Sequence, residues 1–285
     1  MASRVLQQLL DTHYPMFAET HPLPDYVRDA VHALRSCRTA ALGGHVQACP
    51  DGHVERVWYN SCRHRCCPQC AQLQITQWLE RQKARLLRCD HYHVIFTLPS
   101  ELNALWLANG RELASVLFHA AWAMLSELLG DPKYLGATPG MIAVLHTWGQ
   151  TLVLHPHLHC LVTGGGWDGE QWRAVRHGYL VPARVVMPVF RGKLLAAVQK
   201  AVDAEQLTLP PQMTLPQLRM LLHRLGRQKW HVQLVKSPDS CKPGRQRTRH
   251  FAGVGVRLLG VTDSLRVRLA CASSASCALV VVQTH

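Results

Sequence analysis

The sequence is short of acidic residues. It has 18 Asp and Glu against 31 Lys and Arg, a net charge of +13 with histidine neutral. A surplus of that size favours a polyanionic partner, most simply nucleic acid. After Met1-Ala2-Ser3-Arg4 there is no secretory hydrophobic region, and no apolar run approaches the length of a membrane span. These absences point to a cytoplasmic, nucleoid-associated protein without a membrane partner. Gly164-Gly165-Gly166 has no helix and no G-K-[ST] after it. It therefore reads as a turn ending a strand and not as a phosphate loop. Tyrosine is absent beyond Tyr179, and residues 236–285 hold neither Tyr nor Trp.

Cysteine is plentiful and unevenly placed. Of the 11 cysteines, Cys37, Cys49, Cys62, Cys66, Cys67 and Cys70 crowd one stretch. Without a signal peptide, such crowding reads as metal binding and not as disulfides. Cys67-Pro68-Gln69-Cys70 is a C-x-x-C knuckle whose tight turn lets two thiolates reach one ion. Cys49 and His53 supply a second pair of suitable spacing, completing a closed tetrahedral set for structural Zn2+. Cys62, Cys37 and His45 are spare candidates, Cys62 being the alternative ligand. Arg63 and Arg65 lie between the cysteines, with Trp58 and Tyr59 just before. Basic and aromatic groups on a rigid knuckle suit nucleic-acid backbone and bases.

A second metal motif lies downstream. Thr151 to Thr163 reads as a strand, and alternate residues of a strand share a face. His157 and His159 therefore project together, with His155 beside them. Two imidazoles on one strand face make half of a metal site. Gln150 and His155 are the candidates for a third ligand.

Length and composition allow one large or two ordinary domains with a real core. Apolar spacing predicts helix within residues 1–36, and the zinc module fills about 37–70. An amphipathic helix follows over 71–87. Its polar side carries Arg81, Lys83, Arg85 and Arg88, a stripe that can track phosphates. His91 to Pro99 is a strand, and 101–129 is mostly helical with a break at Asn109-Gly110. Met141 to Thr147 and Thr151 to Thr163 read as a hairpin with Trp148-Gly149 at the turn. Trp172 to Val181 is a further strand, 186–207 and 215–228 are helices, and Trp230 to Val235 is a short strand. Residues 236–285 carry 8 Lys and Arg and 2 Asp and Glu. No sustained period organises them, and they read as a basic tail. The domain boundaries are thus 1–88, 89–235 and 236–285.

Several segments together resemble one family, in the right order, over roughly residues 5–235. Tyr59-Asn60-Ser61-Cys62-Arg63-His64-Arg65-Cys66-Cys67-Pro68-Gln69-Cys70 resembles the zinc-binding domain of the rolling-circle transposases of the insertion-sequence-91 family. His91 to Pro99 resembles the first strand of their nuclease domain. Leu154 to Val162 resembles their HUH metal motif, and Val189-Phe190-Arg191-Gly192-Lys193 a helix that follows it. The resemblance implies an α+β fold in which a small zinc-binding module precedes an antiparallel sheet flanked by helices. It implies cleavage and joining of single-stranded DNA, at single-stranded or hairpin transposon ends, through a tyrosyl-DNA intermediate. His157 and His159 would hold Mg2+ or Mn2+, while Arg63, Arg65, Arg81, Lys83 and Arg85 would contact DNA. The nucleophilic tyrosine is expected after the segment matched by Trp230 to Val235, where this sequence has none. A frameshifted or truncated copy with impaired cleavage is one reading of that departure, and a diverged tail another. A zinc-dependent regulator that occupies transposon ends without cutting them is the alternative function.

Overall fold

The computed structural model describes residues 4–236 except 65, 150, 152, 177 and 179, together with 257–259 and 277–281. The chain is α+β and divides into two compact units, Met1–Arg85 and Leu86–His285. Arg65, Gln150, Tyr179 and most of the basic tail lie outside the described residues.

The first unit contains helices α1 (Val5–Thr20) and α2 (Asp25–Ser36), strands β1 (Gly44–Ala48) and β2 (Val54–Tyr59), and helix α3 (Pro68–Arg85). The end of α2 has carbonyls that no helical N–H can reach. Buried Gln7 on α1 answers this: its side-chain amide donates to the carbonyls of Arg35 at 2.6 Å and Cys37 at 3.1 Å. β1 and β2 form an antiparallel hairpin, with Gly44 opposite Tyr59 at its open end and Ala48 opposite Val54 near its tip. Among the described residues one small apolar cluster lies here, with Leu34, Cys37 and Cys67 buried and Leu10 and Ala30 packed against them. A metal beside so small a cluster would add to its stability.

The second unit runs β3 (His91–Thr97), α4 (Asn103–Ala108), α5 (Gly110–Gly130), β4 (Thr138–Trp148), β5 (Leu154–Trp167), β6 (Trp172–Ala174), α6 (Ala183–Asp203), α7 (Leu215–Arg227) and β7 (Val232–Lys236). Two short strands, β8 (Arg257–Leu259) and β9 (Cys277–Val281), complete the described elements. The sheet order is β7-β3-β5-β4-β9-β8, with β6 also on β5. All pairs are antiparallel except β8 with β9.

Strand alternation decides the two faces of this sheet. Tyr92, Val94 and Phe96 of β3, Met141, Ala143 and Leu145 of β4, and Leu158, Cys160 and Val162 of β5 join one buried core. Phe118 and Met124 of α5, Phe190 and Leu194 of α6, and Leu218 and Leu222 of α7 complete it. Helices thus pack on that side. The alternate residues of β5, His155, His157 and His159, are left half-buried. By length and hydropathy α5 is apolar enough to cross a membrane, unlike the expectation from the sequence. Its Leu113, Leu117, Ala121, Leu125 and Leu128 are instead buried in this core.

Local signals explain several boundaries. The helix break falls at buried Asn109, whose amide donates to the carbonyls of Leu105 at 3.0 Å and Thr208 at 2.7 Å. Its Oδ1 accepts the Thr208 N–H at 2.7 Å. A side chain that satisfies backbone groups on both sides competes with the helix ladder. At α7, the Thr214 N–H donates to Gln217 Oε1 at 2.8 Å, half of a capping box, with Pro216 in the first turn.

Three expectations are corrected. The glycine triplet is not a turn: Gly164, Gly165 and Gly166 continue β5 to Trp167. A Cβ on Gly164 would lie 2.8 Å from the Asp90 carbonyl oxygen, on Gly165 2.6 Å from that of Arg173, and on Gly166 2.4 Å from that of Thr138. Glycine is required there because neighbouring backbone approaches from both sides. The strand expected over 172–181 ends at Ala174. The hairpin turn is not at Trp148-Gly149: β4 runs through Trp148, and the connection closes with the Gly149 N–H on the Val153 carbonyl at 3.0 Å.

Two candidate metal centres

In the first unit four sulfurs converge. Cys37, Cys62, Cys67 and Cys70 place their sulfurs within 4.8 Å of one another. Cys37 is 3.5 Å from Cys70, Cys62 is 3.7 Å from Cys70, and Cys67 is 3.6 Å from Cys37. Sulfurs placed about 2.3 Å from a tetrahedral zinc lie about 3.8 Å apart, whereas a disulfide needs about 2.05 Å. The spacing therefore fits four thiolates around one ion. Each ligand is fixed locally. Cys37 caps the end of α2, and Cys62 leaves β2 through the loop after Tyr59. The Cys67 carbonyl accepts the Ala71 N–H at 2.8 Å as α3 begins, and Cys70 sits in its first turn.

Burial pushes the thiols of Cys62 and Cys67 up. Burial raises Cys70 too, but hydrogen bonds from Cys37, the Arg63 backbone N–H, Cys62 and Cys67 converge on it and bring it down overall. Four sulfurs held this close and partly buried repel one another as thiolates unless a cation neutralises them. That repulsion is the chemical reason for a structural zinc here.

This grouping differs from the expected set. Cys67 and Cys70 join Cys37 and Cys62, which the sequence reading held as spares. Cys49 and His53 fall in a separate group with Asp51, where Cys49 Sγ is 3.4 Å from His53 Nδ1. The physical reason is the hairpin. Cys49 and His53 sit at its tip, whereas its open end lies beside the quartet, with the Arg38 N–H on the Asn60 carbonyl at 3.0 Å. A strand of five residues separates tip from base by about 15 Å.

The expected DNA contacts on α3 also divide. Arg81 and Arg85 lie four residues apart, on one helix face, and both are exposed. Lys83 faces elsewhere and pairs with Glu80 at 2.6 Å.

In the second unit the imidazoles of His146, His157 and His159 offer nitrogens within 4.8 Å of one another. His157 and His159 do share a face, as their alternation predicts. The third member comes from β4, where His146 is the direct cross-strand partner of His157. Hydrogen bonding prepares His157. Its Nδ1 lies 2.6 Å from the carbonyl of His155, which can only accept. Nδ1 therefore carries the proton, and the Nε2 lone pair is left for a metal. His159 Nδ1 is 2.8 Å from His93 Nε2 on β3. His155 contributes its carbonyl and stands outside the triad. His146 and His93 were missed by the sequence reading. Their signal was the pairing of three strands, which no local window carries.

Burial, and then the neighbouring charges of His157 and His93, lower His146 to about 4. Burial likewise lowers His157, against its bond to the His155 carbonyl. Neutral imidazoles are the ligating form, so His146 and His157 keep their donors free through neutral pH. Three nitrogen donors, with no carboxylate among the described residues of the group, suit Mn2+ and later transition ions better than Mg2+.

The shift predicts a pH dependence. An unfolded imidazole gains its proton near pH 6.5, while folded His146 resists it until about pH 4. Between those values the unfolded chain binds more protons, so stability rises with pH across the window and is lost as pH falls through it. Urea midpoints read from about pH 7 down to about pH 4.5 should fall less steeply for His146→Gln than for the native chain. Parallel curves would remove His146 from this account.

A closed sulfur quartet in one unit and an imidazole triad on an antiparallel sheet in the next define an α+β protein that carries a zinc-binding module. Comparison with known proteins places it. Residues 9–98 match the family model described as "Transposase zinc-binding domain", and residues 140–245 match that described as "Putative transposase". The chain belongs to the insertion-sequence-91 family of transposases. It is 46% identical over 182 residues to "Putative transposase y4qJ" of Sinorhizobium fredii, covering 63% of this chain and 46% of that protein. It is 32% identical over 236 residues to "Transposase for insertion sequence element IS801" of Pseudomonas savastanoi pv. phaseolicola, covering 80% of this chain and 55% of that protein. The chain thus spans about half the length of these curated relatives. No solved structure matches it.

Proposed function

We propose that this chain acts in DNA transposition of the rolling-circle type, binding single-stranded or hairpin transposon ends and presenting a metal site to the phosphodiester. The triad of His146, His157 and His159 carries this reading, because three imidazoles converging on one sheet face suit a divalent ion. A phosphodiester is a poor electrophile shielded by its own charge. Bound there, Mn2+ or Mg2+ would supply Lewis acidity and a template for the scissile phosphate. The protein's own part is to hold the donors neutral and aimed, through the His155 carbonyl on His157.

The covalent step of this chemistry needs a tyrosine hydroxyl, which gives a 5′-phosphotyrosine and a free 3′-OH. Tyr92 lies in the core on the opposite face of β3 from His93, and Tyr134 packs against that core. Tyr179 lies outside the described residues, and no tyrosine follows it in the sequence. The proposal therefore includes impaired adduct formation: metal and DNA bind, and residual nicking by water leaves no protein attached.

Labelled single-stranded transposon-end DNA, incubated with the protein and Mn2+ and run on a denaturing gel, tests this. Weak, metal-dependent nicking without a protein-linked band is expected. A strong protein-linked band lost in Tyr179→Phe would overturn the impairment. Salt-sensitive binding with no nicking under any metal would favour the regulator of transposon ends.

A further inference from the structure

We infer that the zinc unit carries a subsite for one unstacked nucleotide of a single strand, built from Arg38, Arg63 and Tyr59. This deepens the DNA-binding reading above and rests on it. A cleft of about 490 Å3 is lined by Arg38, Tyr59, Asn60, Ser61 and Arg63. That volume lies within the range of small-ligand sites. The lining has two guanidinium groups, an amide, a hydroxyl and a phenol ring, and no carboxylate. Arg38 and Arg63 are exposed, and neither has an acidic partner among the described residues. Tyr59 is 47% exposed.

The backbone is the second observation. Among the described residues three non-glycine residues have positive φ, and two of them are Arg38 at 57° and Arg63 at 51°. Each directly follows a cysteine of the quartet. Left-handed backbone is strained for a residue with a Cβ and gathers at functional sites. Glycine would adopt it freely, so arginine here holds its place through its side chain. Both turns are pinned: the Arg38 N–H donates to the Asn60 carbonyl at 3.0 Å, and the Arg63 N–H points at the Cys70 sulfur. Asn60 is itself anchored, its amide donating to the Leu42 carbonyl at 3.0 Å.

The chemistry names the ligand. Paired guanidiniums with no competing acid suit a phosphodiester oxygen. An exposed phenol ring beside them suits the face of a base. Base faces are covered in a duplex, so both contacts form together only on an unpaired strand.

The test uses the full zinc-loaded chain and a labelled oligothymidylate of roughly a dozen nucleotides, long enough to span a typical single-strand site. Arg38→Gly and Arg63→Gly remove the side chains while easing the backbone, so folding and zinc content should persist. Each should weaken binding about ten-fold and lower the slope of log affinity against log salt by about 0.7. Tyr59→Leu should also weaken binding about ten-fold but leave the salt slope unchanged. Native affinity and native slope in both glycine variants, with the unaltered chain binding normally, would overturn the subsite alone. No binding by the unaltered chain would overturn the DNA reading with it.

Discussion

Cys37→Ser is expected to strip zinc from the protein and unfold its first unit. Cys37 is fully buried, and its sulfur lies within 3.6 Å of those of Cys67 and Cys70. Serine is a poor zinc ligand, and a three-sulfur remnant leaves the ion open to water. Structural zinc in small modules contributes about 10–16 kcal/mol of apparent binding free energy, which is also folding free energy. The apolar cluster around Leu34 is too small to replace it. Elemental analysis should find about one zinc fewer per chain, and limited proteolysis should cut within residues 4–85. Cys67→Ser and Cys70→Ser should behave alike. The hairpin-tip residues give the contrast, because Cys49→Ser with His53→Ala should leave the quartet's zinc in place. Loss of that zinc in the tip variant, with full retention in Cys37→Ser, would return the site to the set expected from spacing.

His146→Ala should abolish divalent-metal binding at the sheet as fully as His157→Ala or His159→Ala. Each removes one of three imidazole nitrogens that share a centre. Even a group that only orients a ligand is worth about 10- to 100-fold in affinity, so loss of a ligand should cost at least about 100-fold. His155→Ala is the informative control. Its backbone carbonyl, not its ring, accepts from His157 Nδ1, so the variant should bind Mn2+ almost as the native chain does. Titration of Mn2+ followed by its electron paramagnetic resonance would read all four variants. Loss in His155→Ala with retention in His146→Ala would exchange their roles. These substitutions lie on the half-buried face of the sheet, away from the Phe96–Phe190 contact at 4.6 Å, so folding should survive them.

The sequence by itself determined what repeats locally. Alternation along β5 put His157 and His159 on one face, because successive side chains of an extended chain point to opposite sides. Helical spacing marked α5, α6 and α7. The C-x-x-C spacing put Cys67 and Cys70 within reach of one ion, because a single turn at the start of α3 joins them. The charge surplus and the motif order carried the family. Tertiary structure decided whatever depends on two segments meeting. Cys37 joins the quartet because Arg38 and Asn60 close the base of the hairpin, a contact that spacing does not encode. His146 joins the triad because an irregularity in the β4–β5 pairing between His146 and Trp148 shifts the register by one residue and places it opposite His157. A shift of one residue would have turned its ring toward the helices. The glycine triplet was legible as glycine but not as strand, since its cause is the backbone of Asp90, Arg173 and Thr138 pressed against it. Ligand identity was half written in the local pattern. The other half came from pairing, because strand register and hairpin closure are fixed by contacts between residues far apart in the chain.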